Sequence, residues 1–209
     1  MSQPFLPYGR QHVSQADMAA VRRVLEGDYL TTGPEVPRFE ADFAAAVRAP
    51  HATACNSATA ALHLALDALG VSPGDACIVP AITFLATANA ARYCGADVVF
   101  ADVDPETGLM TPDTLKAALK RADGRARAVL PVHLGGSICD MAAISSLARD
   151  AGLFVVEDAC HGLGGIDASG APVGACAVSD AATFSFHPVK TLTSGEGGMA
   201  TTGSAGLAD

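Results

Sequence analysis

The sequence lacks the features of two common classes of protein. Its 209 residues include only 13 Lys and Arg against 22 Asp and Glu, which gives a net charge of −9. No basic stripe is available to neutralise a phosphate backbone, so we expect no nucleic acid partner. No apolar run approaches the ~18 to 20 residues that a membrane span needs, so we expect no membrane partner either.

Cysteine motifs and glycine-rich nucleotide motifs are also missing. The six cysteines lie far apart, with no CxxC pair and no zinc-like histidine spacing. The start of the chain has no charged segment followed by an apolar one, as a signal peptide would have. We therefore expect reduced thiols, no metal site and a cytoplasmic protein. Neither GxGxxG nor GxxxxGK[ST] occurs, which argues against dinucleotide and P-loop sites.

Short apolar runs alternate with helical segments from residue 51 onward. Runs such as "ACIVPA", "ARAVLPV" and "GLFVVEDA" are almost continuously apolar, as expected for parallel strands covered on both faces. This alternation predicts an α/β fold. Two helices are predicted before residue 51. The first is indicated by a capping-box pattern at Ser14, and the second by the recurrence of Phe39, Phe43 and Val47 at every fourth residue.

Three polar stretches follow or interrupt these runs, where ligands gather in such sheets. Asp158 ends "LFVVED". "NSATAAL" opens a helix whose first amides, with the Thr59 hydroxyl, can bind an anion. Lys190 lies in a Ser- and Gly-rich turn between two predicted strands.

Each stretch alone has a structural alternative: a capping or ion-paired carboxylate, an ordinary helix start, and a solvated lysine. Together they supply what a pyridoxal phosphate site needs. These needs are a phosphate clamp, a carboxylate for the pyridine nitrogen, and an amine that reacts with a carbonyl. The combination therefore favours a cofactor site.

Six stretches carry a family resemblance: "NSATAAL", "PAITFLATANA", "FADVDPETG", "PVHLGG", "VVEDACHGLGG" and "FSFHPVKTLTSGEGG". In order and spacing they resemble the pyridoxal-phosphate-dependent nucleotide-sugar aminotransferases of the DegT/DnrJ/EryC/StrS family, over essentially the whole chain. The resemblance implies an aspartate-aminotransferase-like large domain of fold type I, with a mostly parallel sheet flanked by helices. Within the family, "PYGRQ", "LTTGP" and "HPVK" look most like the UDP-4-amino-4,6-dideoxy-N-acetyl-β-L-altrosamine transaminases of pseudaminic acid synthesis.

The resemblance implies a role for each matching residue. Lys190 matches the catalytic Schiff-base lysine, which also moves a proton between the sugar C4 and the cofactor C4′. Asp158 matches the carboxylate that keeps the pyridine nitrogen protonated. His161 is expected near the phenolic oxygen and Cys160 under the ring. The remaining matches are Ala58, Thr59 and Ser185 for the phosphate, Phe84 for ring stacking, and Tyr8, Asp28, Tyr29, Leu30 and Thr31 for the substrate.

Two histidines near these motifs have simpler interpretations. His133 in "PVHLGG" and His187 in "SFHPVK" are interpreted as packing or hydrogen-bonding residues rather than acids or bases.

The resemblance also implies a domain organisation. Residues 1–36 would form an N-terminal arm and substrate loop, and residues 37–209 an incomplete cofactor-binding large domain. Relatives continue into a smaller C-terminal domain, which we expect to be missing here, and they are dimers whose active sites receive residues from the partner. A homodimer is therefore expected of the full-length protein.

Two functions remain open at this point. The first is transamination at C4 of a nucleotide-linked 4-keto-6-deoxy sugar, UDP-linked in our interpretation, with glutamate as amino donor. The second is a truncated fragment that binds the cofactor but does not turn over. A related sugar dehydratase is disfavoured because those relatives carry histidine where Lys190 stands.

Overall fold

The computed structural model describes Phe5 and residues 9–209. Its strands are β1 (His51–Cys55), β2 (Ala76–Pro80), β3 (Asp97–Ala101), β4 (Ala126–Val129), β5 (Phe154–Asp158), β6 (Ala181–Ser185) and β7 (Gly198–Thr202). Its helices are α1 (Gln15–Leu25), α2 (Glu35–Val47), α3 (Ala58–Ala68), α4 (Leu85–Tyr93), α5 (Pro112–Ala122), α6 (Met141–Asp150) and α7 (Ala205–Ala208), with a short 3₁₀ turn at Leu134–Gly136. The predicted alternation of strands and helices is confirmed.

The strands form one sheet in the order β1-β7-β6-β5-β4-β2-β3. From β3 to β6 all neighbouring strands are parallel, so the predicted mostly parallel sheet is confirmed. β7 runs antiparallel to both β6 and β1, which the apolar pattern did not indicate. The reason is local: residues 186–197 connect β6 directly to its neighbour, and such a loop contains no crossover helix that would return the chain in parallel.

Consecutive residues of the central strands pack against helices on opposite faces of the sheet. Ile78 of β2 and Val155 of β5 belong to a core with α5 and α6. Val79 and Val156, the next residue in each strand, belong to a core with α3 and α4. All four are buried, because both faces of a parallel sheet are covered.

A cluster of aromatic rings fixes the end of β6. Phe43 of α2 meets Phe184 at 5.0 Å and Phe186 at 5.6 Å between ring centroids, and Phe39 meets Phe186 at 5.3 Å. The edge-to-face geometry of these pairs adds to the burial of apolar surface. Phe39 and Phe43 are four residues apart because they lie on the same face of α2, and this face holds β6 in place.

The helices of the described residues are short. The longest, α2, has 13 residues. No helix in the described part of the chain is long and apolar enough to cross a membrane.

Gly198 lets β7 approach the start of α3. A Cβ at this position would lie 2.6 Å from the backbone nitrogen of Ala58 and would also collide with the carbonyl group of Ser57. Main-chain atoms at the start of a packed helix cannot move aside as a flexible side chain can. The absence of a side chain at Gly198 is therefore a condition for this contact.

We predict that Gly198→Ala lowers the free energy of unfolding by about 1 to 3 kcal/mol, the usual cost of overpacking a buried site. Urea unfolding followed by circular dichroism measures this change. Gly203→Ala is the matched control, because a Cβ at Gly203 meets no atom within 4 Å. Equal stability of the two variants would show that β7 does not press against α3.

Candidate active site

The ends of three strands and the start of α3 meet around Gly198. In the sheet, Gly198 is paired with Cys55 of β1 on one side and with Ser185 of β6 on the other. Because Gly198 also lies against the Ser57–Ala58 peptide, the predicted phosphate residues Ala58 and Ser185 are brought to the same place.

The first turn of α3 has the form of an anion site. The Ser57 side chain caps the helix by accepting a hydrogen bond from the Ala60 amide at 3.2 Å, and the Ala61 amide donates to the Ser57 carbonyl at 3.0 Å. Within the described residues, the amides of Ala58 and Thr59 have no acceptor. Such unpaired amides at the positive end of a helix dipole bind phosphate well.

Asp158 ends β5 as predicted, and its carboxylate is held by two donors. The side chain is buried, and its Oδ2 accepts a hydrogen bond from the Thr87 hydroxyl at 2.6 Å. Its Oδ1 accepts one from the Cys160 amide at 3.2 Å. A carboxylate oxygen can accept more than one hydrogen bond, so this group can also accept one from a ligand N–H.

Thr87 of α4 was missed in the sequence analysis. Its side chain is fully buried, and its oxygen lies 2.7 Å from the Thr83 hydroxyl as well as against Asp158. The available signal was a threonine inside the alanine-rich stretch "TFLATANA", but its partner lies 71 residues further along the chain. Only the packing of α4 on β5 shows what it does.

Cys160 and His161 follow Asp158 and are electrically neutral. Burial raises the pKa of the Cys160 thiol far above its ordinary value; the charge of Asp158 raises it further, whereas Lys190 opposes the shift. Burial is the main cause that lowers the pKa of His161. The Lys190 charge lowers this pKa further, whereas the Asp158 charge raises it. The charges of Asp158 and Lys190 thus both act on Cys160 and on His161, so the four side chains lie close together.

Lys190 lies in the loop between β6 and β7, and this loop is closed on Phe186. The Phe186 carbonyl accepts hydrogen bonds from the Ser194 amide at 3.1 Å and the Thr193 hydroxyl at 2.8 Å. The Lys190 amide donates to the His187 carbonyl at 2.9 Å, and the His187 ring accepts from the Val189 amide at 3.4 Å. His187 therefore acts as a hydrogen-bonding residue, and Lys190 is half-buried at the site.

Phe84 precedes the first turn of α4, the turn that also contains Thr87. Its carbonyl accepts a hydrogen bond from the Thr87 amide at 3.1 Å, and its ring is 72% exposed. An exposed aromatic ring on the segment that leads into α4 is suited to stacking on a planar ligand.

The predicted substrate segment is less enclosed. Asp28 to Thr31 lie in an exposed bend, and the described residues show no hydrogen bond from their side chains to the residues around Asp158 and Lys190. Tyr8 lies outside the described residues. The next described position, Gly9, approaches the side chain of Val189, since a Cβ there would lie 3.7 Å from Val189 Cγ1. The chain at Gly9 thus lies beside the lysine loop.

In the described part of the chain, no group of three or more His, Cys, Asp or Glu side chains is placed to hold a metal ion. All six cysteine thiols are free.

Comparison with known proteins assigns this arrangement to a family. Residues 11–209 match the model of the DegT/DnrJ/EryC1/StrS aminotransferase family. The chain belongs to this family.

Three similar proteins are informative. The spore coat polysaccharide biosynthesis protein SpsC of Bacillus subtilis is 45% identical over 205 residues, which are 98% of this chain and 51% of SpsC. The putative sugar aminotransferase Spr1654 of Streptococcus pneumoniae, solved in its PLP form, is 32% identical with a TM-score of 0.89, over 98% of this chain and 54% of that one. DesI, solved in the presence of its TDP-sugar product, is 36% identical with a TM-score of 0.87, over 100% of this chain and 52% of that one.

These similarities confirm the predicted aminotransferase-like α/β fold. Family membership also indicates pyridoxal phosphate as the cofactor, as the sequence predicted. The chain spans about half the length of the relatives it matches.

We predict that Thr87→Val weakens the binding of pyridoxal phosphate about tenfold, the effect of losing a hydrogen bond worth about 1.4 kcal/mol to a charged group. Without the hydroxyl, Asp158 loses one of the two donors that fix its orientation. Thr87→Ser keeps the hydroxyl and should bind as the wild type does. Absorbance titration with the cofactor measures both, and equal affinities for Val and Thr would contradict the orienting role.

Proposed function

We propose that the complete protein is a sugar aminotransferase that transfers an amino group from glutamate to the C4 carbonyl of a nucleotide-linked 4-keto-6-deoxy sugar. The observation that carries the proposal is the convergence of Asp158, Lys190 and the first turn of α3 at one edge of the sheet. Glutamate would leave as 2-oxoglutarate and the sugar as a 4-amino sugar.

The described residues fit pyridoxal phosphate. The unpaired amides of Ala58 and Thr59 and the Ser185 hydroxyl offer donors to its phosphate. Asp158, fixed by two donors, would accept a hydrogen bond from the pyridine nitrogen and keep it protonated. Phe84 would cover one face of the ring, with Cys160 on the other side.

The bound cofactor supplies an electron sink, which stabilises negative charge at the carbon bonded to the amino group. Lys190 would hold the cofactor covalently through its amine. When that amine is released, it would act as the base that moves a proton at the sugar C4. The proposed catalytic base is therefore the only lysine near the site, since the other two, Lys116 and Lys120, lie on α5.

Cys160 and His161 support this chemistry by staying neutral. A thiolate at this position would place a second negative charge next to Asp158. The raised pKa of Cys160 and the lowered pKa of His161 prevent a second anion or cation there at neutral pH. His161 can then hydrogen-bond the phenolic oxygen as a neutral imidazole.

For the sugar, we propose a UDP-linked substrate of the type used in pseudaminic acid synthesis, on the basis of "PYGRQ", "LTTGP" and "HPVK". The polysaccharide role in the name of SpsC and the TDP-sugar bound to DesI support a nucleotide sugar in general. Tyr8 and residues 28–31 would contact it. In this proposal residues 1–36 form the arm and substrate loop and residues 37–209 the cofactor-binding domain.

We further propose that the full-length protein is a cytoplasmic homodimer. The apolar side chains of α1, Met18, Val21 and Leu25, are 48%, 61% and 65% exposed, and this helix has no buried residue. Such a helix face supports association with another surface.

Borohydride trapping tests the role of Lys190. After incubation with pyridoxal phosphate, reduction and digestion, we expect a pyridoxyl group on the peptide that contains Lys190 and none on Lys116 or Lys120. The three lysines of the chain make the two on α5 internal controls. Lys190→Arg keeps the positive charge and should remove the label.

The outcomes separate the candidate functions. A label on Lys190 together with amination of 4-ketosugars linked to UDP, GDP or dTDP supports the proposed enzyme and identifies the nucleotide. A label without turnover of any of these sugars supports the alternative, a cofactor-binding chain that is not catalytic by itself. If no label appears on Lys190, its proposed role is wrong.

A further inference from the structure

A buried ionisable pair lies directly behind the site and takes no part in the proposed chemistry. His133 and Glu157 are buried, and His133 Nε2 lies 2.8 Å from Glu157 Oε2. The ring's other nitrogen, Nδ1, accepts a hydrogen bond from the Cys139 amide at 3.3 Å. This acceptor role assigns the ring proton to Nε2, which donates to Glu157. The Ser179 hydroxyl donates to the second carboxylate oxygen.

The pair connects both ends of a long loop. Residues 159–180, between β5 and β6, contain no helix and no strand. Glu157 precedes this loop, and Ser179 near its end is bound to the Glu157 side chain. Near the start of the loop, Gly162 packs against the His133 ring, since a Cβ there would lie 3.1 Å from His133 Cδ2. A connection of this length needs such tertiary contacts to hold one conformation.

The turn that begins at His133 is hydrogen-bonded to two residues of the candidate site, Asp158 at the end of β5 and His161 shortly after it. The His133 amide donates to the Asp158 carbonyl at 3.1 Å. Two residues later, the Gly135 amide donates to His161 Nδ1 at 3.3 Å. The turn of residues 133–139 is therefore bound to Asp158 through its backbone, to Glu157 through the imidazole, and to His161 through Gly135.

Stability alone does not account for this arrangement. A buried carboxylate has a large desolvation cost, and apolar replacements of buried ionic pairs are often as stable as the original. Two hydrogen bonds offset the desolvation cost of Glu157. An apolar side chain at this position would need no hydrogen bond. A role in placing neighbouring groups accounts for a polar pair at this position.

We propose that His133 and Glu157 are positioning residues, which fix the turn of residues 133–139 against β5 and thereby orient His161. The inference rests on the proposed function only for the role of His161 at the cofactor. Its structural content, the orientation of the His161 ring by Gly135, is independent of cofactor binding.

A matched pair of variants tests the proposal in the cofactor-free protein. Glu157→Met keeps the shape but loses both acceptors, whereas Glu157→Gln can still accept from His133 Nε2 and donate to Ser179. Nitrogen-15 NMR of histidine side chains reports whether His161 Nδ1 accepts a hydrogen bond. We expect Glu157→Met to shift this resonance toward that of a solvated, tautomer-exchanging imidazole, and Glu157→Gln to leave it unchanged. Ser179→Ala, a milder loss, should shift it in the same direction if Glu157→Met does not fold.

A control separates positioning from general loosening. Val71→Ala removes two buried methyl groups in the core with α3 and α4 and lowers the free energy of unfolding through the cavity that it leaves. It should leave His161 unchanged. The proposal is overturned if Glu157→Met, or Ser179→Ala where Glu157→Met does not fold, leaves the His161 resonance as in the wild type, or if Val71→Ala shifts it equally. Failure of the borohydride label on Lys190 with a shifted His161 would remove the proposed function and keep this inference.

Discussion

The electrostatic balance between Asp158 and Lys190 is the interaction on which the rest of the site depends. The Asp158 carboxylate lies at the end of β5, and Lys190 lies in the loop that follows the neighbouring parallel strand β6. The residues that both charges influence, Cys160 and His161, stay neutral. A planar cation such as a protonated pyridine ring needs one anionic partner and no competitor. The site provides this by burying the thiol and imidazole and by fixing the carboxylate through Thr87.

The packing of the sheet holds the groups of the site in the positions that this electrostatic balance requires. The rings of Phe39 and Phe43 hold the end of β6, and the lysine loop closes on Phe186. On the other side, the lack of a side chain at Gly198 lets β7 approach the start of α3, so the anion site stands beside Ser185. The phosphate donors and the charged groups are thus fixed by separate contacts. Both sets of groups lie at the same edge of the sheet.

The sequence patterns predicted those features of the structure that depend on residues close together in the chain. The apolar runs located the strands, and the polar residues that follow them located Asp158 and Lys190. They did not reveal Thr87 or the pairing of His133 with Glu157, because these partners are 71 and 24 residues apart and meet only when helix and loop pack on the sheet. The antiparallel direction of β7 was likewise not readable, since a buried strand has the same composition in either direction. The sites of Tyr8 and of residues 28–31 stay predictions.

The most direct test of the account is the pKa of His161, measured by NMR titration of the cofactor-free protein. In the wild type it should lie below the ordinary value for histidine, chiefly through burial. Lys190→Gln removes a positive charge that disfavours the imidazolium ion, so the pKa should rise; Asp158→Asn removes a negative charge that favours it, so the pKa should fall. Opposite shifts would show that both charges act on one site. A His161 pKa that neither substitution changes would contradict the convergence of Asp158 and Lys190.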